Sequence, residues 1–403
     1  MLKAVMQVTA FYRQEQYMFT FLLTIIYLAF ISLGLPDSLL GAAWPLMSAE
    51  FGAPISYAGA ISVIISASSI TASLLSDKVT RKFGTGGVTF ASVLLTATAL
   101  LGFSLSDSFW ILCVLAIPYG LGAGAVDAAL NNYVAIHYAA RHMSWLHCFW
   151  GVGASIGPYI MGWAISTSHG WRAGYGYISV IQFALTLVLL LTLPLWKKNV
   201  ATDKVDELGV QISFKEVLKI RGVIAVVLGF FGYCAFEATA GLWASSFLVQ
   251  VKGINEETAA FYASLFYLGI TFGRFVCGFI TDKLGDKQMI RAGIGVVLLG
   301  ILLVILPLDA DFFSLMGLVL LGLGAAPIYP SIIHSIPIKF GMEYSHAIVG
   351  MQMAFAYLGS MFMPPLFGLI AQYISIAIYP FYLLIFVILL LVMLERANKI
   401  CKN

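Results

Sequence analysis

With 61% hydrophobic residues, only 10% charged residues and a mean hydropathy of +0.94, this chain of 403 residues falls outside the ordinary soluble proteins, whose charged share is nearer about 25%. A net charge of +3, spread over scattered loops, excludes a nucleic-acid surface. The five cysteines, Cys113, Cys148, Cys234, Cys277 and Cys401, have no disulfide or metal-ligand spacing, so neither a metal nor a cofactor is expected.

A bilayer sets a ruler of about 20 apolar residues per helix. Apolar runs between polar breaks predict helices at 17–46, 55–76, 85–105, 108–136, 145–168 and 174–196. A second set is predicted at 222–250, 258–281, 289–307, 312–336, 346–372 and 376–395. The first run is too long for a signal-peptide core and has no cleavage site, so it reads as a retained helix. Residues 197–221 are the one long polar stretch and read as a linker, separating a bundle over 1–196 from a second over 222–403 with a short tail. The expected fold is therefore an all-α membrane protein of twelve transmembrane helices in two pseudo-symmetric bundles of six.

Nearly all Lys and Arg residues fall on the side of the N-terminus, leaving Arg172 and Lys252 opposite and Arg274 within a helix. Positive-inside sorting then predicts cytoplasmic termini in a plasma-membrane protein. The halves also repeat. Ser73-Leu-Leu-Ser-Asp77-Lys78-Val-Thr80-Arg81-Lys82 is echoed about 205 positions on by Gly278-Phe-Ile-Thr-Asp282-Lys283-Leu-Gly285-Asp286-Lys287. Gly120-Leu-Gly122 returns as Gly322-Leu-Gly324, and Gly153-Ala-Ser-Ile-Gly157-Pro158 loosely as Gly359-Ser-Met-Phe-Met-Pro364. Two parallel repeats put a binding site at their interface near the midplane.

The fourth helix carries Asp127 and Asn131 four apart on one face, beside a stripe of Gly120, Gly124 and Ala128 that admits a close neighbour. An acid at bilayer depth costs roughly 2.5 kcal/mol or more, and so suggests function. Asp37 and Glu237 are the other acids inside predicted helices, and Glu237 with Gly241 follows Asp37 with Gly41 by 200 positions. Pro36 is expected to interrupt the first helix beside Asp37. All three acids are candidate proton-coupling groups, the alternative being polar contacts between helices.

The paired loops resemble the Gly-x-x-x-Asp-Arg/Lys-x-Gly-Arg-Arg/Lys signature of the major facilitator superfamily of secondary transporters, with Ser73 and Thr80 in place of glycines and Asp286 in place of a basic residue. Asp127-Ala-Ala-Leu-Asn131 resembles the acid and asparagine of helix four in the fucose/proton symporter family, whose helix-one acid Asp37 matches. Ala326-Pro327-Ile328-Tyr329-Pro330 is also similar. The resemblance implies a monomeric carrier of a sugar or similar small solute, coupled to an ion, by expectation a proton.

Candidate solute contacts are Asp127, Asn131, Asn132, His147, Tyr329, His334 and Gln352, with Trp44 and Trp243 as the aromatics expected to stack on a sugar ring. Interhelical hydrogen bonding is the competing reading for His147, His334, Tyr329 and Gln352. Arg274, eight residues before Asp282, reads as a structural cation reaching toward the loop acids. Asp77, Lys78, Arg81, Lys82, Asp282 and Lys283 read as a latch between the bundles, or as plain orientation charges. A proton-coupled exporter on the same fold is the first rival. A membrane enzyme or sensor is the second, and the chain has no nucleophile–base pair or phosphate loop to favour it.

Overall fold

The computed structural model describes residues 21–138, 140–167, 169–196, 214–306 and 311–401; positions 17–20 of the expected first helix and 197–213 of the expected linker lie outside them. Among the described residues are twelve long helices. In the first half they are α1 (Phe21–Glu50), α2 (Tyr57–Ser76), α3 (Lys78–Ser104), α4 (Phe109–His137), α5 (Ala140–Ser166) and α6 (Gly170–Trp196). In the second they are α7 (Val223–Lys252), α8 (Glu256–Leu284), α9 (Asp286–Ile305), α10 (Phe312–Phe340), α11 (Met342–Ile370) and α12 (Tyr379–Ile400). The protein is a multi-pass integral membrane protein.

Three details depart from the expected pattern. The chain stays helical from α2 into α3, and the kink falls within α3 at Gly84, whose φ of 74° suits a residue without a Cβ. Inside α10 the helix breaks after Ala325 and resumes at Ile328, next to Pro327, which lacks the amide a continuous helix needs. Between α11 and α12 the chain does not unwind but passes through a π turn at Ala371–Ser375 and a 3-10 turn at Ile376–Ile378.

Backbones approach closely where the sequence supplies glycine. A Cβ on Gly124 would fall on the carbonyl oxygen of Ser69, and one on Gly322 would fall on that of Phe266. These are the α4–α2 and α10–α8 contacts, the same packing in each half. Ser69 and Ser73 of α2 reinforce the first, their hydroxyls donating to the carbonyls of Gly120 at 2.9 Å and Gly124 at 3.1 Å. Gly124→Val is therefore expected to separate α4 from α2 and destabilise the protein by about 1–3 kcal/mol, the usual range for overpacking. Thermal unfolding in detergent reads this, and an unchanged midpoint would contradict the packing described.

The bundles meet through α1 with α7, α5 with α8 and α2 with α11, the last two being the same pair once the halves are exchanged. These contacts lie toward one end. There a Cβ on Gly41 would sit 2.7 Å from the Gly241 carbonyl, and one on Gly59 2.6 Å from Pro365. Ser56 hydrogen-bonds Gln372, and the rings of Tyr159 and Phe261 pack 5.9 Å apart. At the other end Lys78, Lys82, Asn132, Lys283 and His334 are exposed. The molecule is closed at the end of the α1–α2 and α11–α12 connections and open at the end of the α2–α3 and α8–α9 connections.

Candidate functional site

The site is built on a break in α1. The helix turns at Ser38, just after Pro36 and Asp37, and the Ser38 hydroxyl donates to the Ala154 carbonyl at 2.7 Å. Gly153 of α5 has its backbone against Ile31, so α5 lies directly on α1 and delivers Trp150 to Asp37. The Trp150 indole N–H donates to Asp37 Oδ2 at 2.8 Å, and the Tyr119 hydroxyl of α4 donates to Oδ1 at 3.1 Å. Asp37 is nevertheless exposed, deep in a helical bundle, because its remaining side faces the void between the halves.

About two turns of α4 beyond Tyr119, the Asn131 amide donates to the Asp127 carbonyl at 3.0 Å and to its carboxylate at 2.9 Å. The spacing of four residues thus produces a carboxylate–amide pair, within electrostatic range of Asp37. From the second half, Glu237 of α7 meets Arg274 of α8 at 3.5 Å, with the two side chains 20% and 15% exposed. The Arg274 guanidinium also lies 5.8 Å from the centre of the Trp150 ring. Trp150 therefore links the halves, its N–H on Asp37 and its ring on Arg274.

Tyr267, 6.5 Å from the Trp150 ring, is within electrostatic range of both Asp37 and Glu237. Tyr329 is within range of Asp127, Glu237 and Arg274, and His147 within range of Arg274. The acids, Asn131, Tyr329 and His147 are thus linked electrostatically across the two halves. Carboxylates and an amide offer acceptors and donors to hydroxyl groups, and a proton on a carboxylate removes a charge that is costly in such a place.

Other expected contacts are placed elsewhere. Trp44 and Trp243 are wholly buried, their indole N–H groups donating to the carbonyls of Ile55 and Pro364, each at 2.8 Å. With their faces against Phe109 and Phe367, neither has a surface left for a sugar ring, and both brace the closed end. His334 is 69% exposed and hydrogen-bonded to Asp286 at 2.8 Å, in a separate cavity of about 630 Å³ that Lys287, Lys339 and Asn398 also line. Asn132 is exposed, about 100° around α4 from Asn131.

Gln352 is wholly buried, with both amide atoms lacking a hydrogen-bond partner among the described residues. Replacing an orphaned amide with an apolar group removes its desolvation penalty, so Gln352→Leu is expected to stabilise this conformation by about 1–3 kcal/mol. A lower melting temperature in detergent would contradict that assignment.

Sequence reasoning missed two members of the site. Arg274 meets Glu237, and Trp150 rather than Trp44 is the tryptophan that touches Asp37. The signal for Arg274 was its place: a basic residue among apolar ones, and the one Lys or Arg outside the loop pattern. The latch residues Lys78, Arg81, Lys82 and Lys283 are exposed at the open end, whereas the side chains of Asp77 and Asp282 lie outside the described ones.

The family model described as Major Facilitator Superfamily matches residues 26–350 and again 226–397. The cis,cis-muconate transport protein of Acinetobacter baylyi is 26% identical over 222 residues, 51% of this chain and 52% of that protein. The glucose/mannose transporter GlcP of Bacillus subtilis is 25% identical over 250 residues, 59% of this chain and 60% of that protein. The chain thus spans little more than half the length of these curated relatives. Among solved structures, a nucleoside transporter superposes with a TM-score of 0.74 over 93% of this chain and 98% of the other, at 14% identity, a likeness of fold.

Proposed function

The chain belongs to the major facilitator superfamily of transporters, and from that premise we propose that it is a proton-coupled symporter of a sugar or similar small polyhydroxy solute. The observation that carries this reading is the line Tyr119–Asp37–Trp150–Arg274–Glu237, which joins the halves through a central void. Asp127 and Asn131 supply hydroxyl-binding groups beside it. The resemblance to the fucose/proton symporter family at Asp37, Asp127 and Asn131, and the similarity to a hexose carrier, support the same solute class.

In this scheme solute and proton enter the void together. Neutralising Asp37 loosens its hold on Trp150, and units 1–196 and 222–403 rock about the linker 197–221 to exchange the open end. The basic residues at the open end then face the opposite half, where Asp77, Lys78, Arg81, Lys82, Asp282 and Lys283 form the latch of the alternate state. By the distribution of Lys and Arg the open end is cytoplasmic, with both termini there, in a plasma membrane. One chain contains the whole site, so the monomer is the working unit.

The test is uptake into proteoliposomes under an imposed pH gradient, with monosaccharides and their acids as a panel. Accumulation that a protonophore abolishes supports symport. Efflux of lipophilic cations with no sugar response supports the exporter instead.

A further inference from the structure

Three arginines that meet carboxylates can be compared within this one molecule. Arg291 holds Glu395 through two parallel bonds, both 2.7 Å. Arg172 is engaged by Glu50, by Asp107 and by the Ser106 carbonyl. Arg274, in the central void, meets Glu237 through a single 3.5 Å approach, well beyond the 2.7–2.9 Å of a charge-assisted bond. Beside this pair lies the Tyr233 hydroxyl, wholly buried and within reach of both Glu237 and Arg274. A planar fork with five donors thus has no short carboxylate bond in the central void, next to a phenol hydroxyl that is a further donor.

The guanidinium fork matches a carboxylate through two parallel bonds, which a single hydroxyl cannot supply. We propose that the solute is a hydroxylated carboxylate, of the sugar-acid kind, whose carboxylate docks on Arg274 and Tyr233 while its hydroxyls meet Asp127, Asn131 and Asp37. This rests on the symport reading above and narrows its substrate class. Charge balance favours it. Glu237 and Arg274 neutralise each other in the empty carrier. An arriving carboxylate takes its own bonds from the Arg274 fork, and the proton taken up by Asp37 offsets its charge, so the loaded site carries the same net charge as the empty one. One proton therefore moves with each monoanion.

The experiment uses the full chain in proteoliposomes with an imposed pH gradient, and D-gluconate and D-glucose as probes. Wild type is expected to accumulate gluconate, and a tenfold excess of glucose is expected to leave that uptake within twofold. Arg274→Lys keeps the charge beside Glu237 but not the fork, and is expected to lose gluconate uptake at least tenfold. The double variant Glu237→Gln/Arg274→Gln removes both charges together, guards against a folding defect, and is expected to lose it at least thirtyfold with its detergent melting temperature kept. Full activity in Arg274→Lys, or gluconate uptake surviving in the double variant, would overturn the proposal. Glucose accumulating under the gradient while gluconate is ignored would overturn it too, leaving symport intact. If neither gluconate nor any panel sugar accumulates, the symport reading falls first and the proposal with it.

Discussion

Asp37→Asn is expected to abolish solute accumulation driven by a pH gradient while leaving downhill exchange in place. At about 1.36 kcal/mol per pH unit, a gradient of two units sustains up to about a hundredfold accumulation at one proton per solute. Without a titrating group in contact with Trp150, the proton has no differential hold on the two conformations, and a ligand with no such preference shifts nothing. The variant keeps the shape, and its amide oxygen can still accept from Trp150 while its NH2 donates to the Tyr119 oxygen, so exchange should persist within a few-fold. Counterflow and gradient-driven uptake, measured on the same vesicles, separate the two outcomes. Accumulation equal to wild type would remove Asp37 from the coupling. Asp127→Asn keeps the Asn131 contact and tests whether a second acid shares the task.

The second large effect is on stability. Glu237→Ala leaves Arg274 in the void with no anion against it, and removing one partner of a buried pair costs about 3–5 kcal/mol. Both side chains keep some access to the void, at 20% and 15% exposure, which places the expected cost near the lower figure. The melting temperature in detergent should fall clearly. In Glu237→Ala/Arg274→Ala, where neither charge remains, it should recover most of the loss, because an uncharged site pays no ion desolvation. A single variant as stable as wild type would show that Arg274 takes no support from Glu237.

The fold was legible because a bilayer enforces it. Every apolar run long enough to cross became a helix, and the two copies of the charged loop marked the halves. The small stripe of Gly120 and Gly124 gave the α4–α2 contact, since only a missing Cβ permits that approach. The acids stand out for the same reason, as carboxylates among apolar residues, and the structure brings Asp37, Asp127 and Glu237 within electrostatic range of one another or of shared tyrosines.

What stayed hidden were the relations across helices. Trp44 is in register with Asp37 along α1, yet the approach of α5 at Gly153 decides which tryptophan reaches the acid. Spacing along one helix cannot report that. His334 matches Asn132 by the repeat, but Asp286, the residue that departs from the loop signature, draws it to the rim. Arg274 reads along the chain as a partner of the loop acids, whereas the packing of α8 on α7 brings it to Glu237.

The most direct test follows protons rather than solute. Wild-type proteoliposomes in weak buffer, with no starting gradient, receive D-gluconate or the panel sugars outside while external pH is recorded. The account predicts that a transported solute makes the external medium more alkaline, that a protonophore removes the response, and that Asp37→Asn lacks it. Solute entry with no pH change, or with acidification, would contradict proton symport through this void.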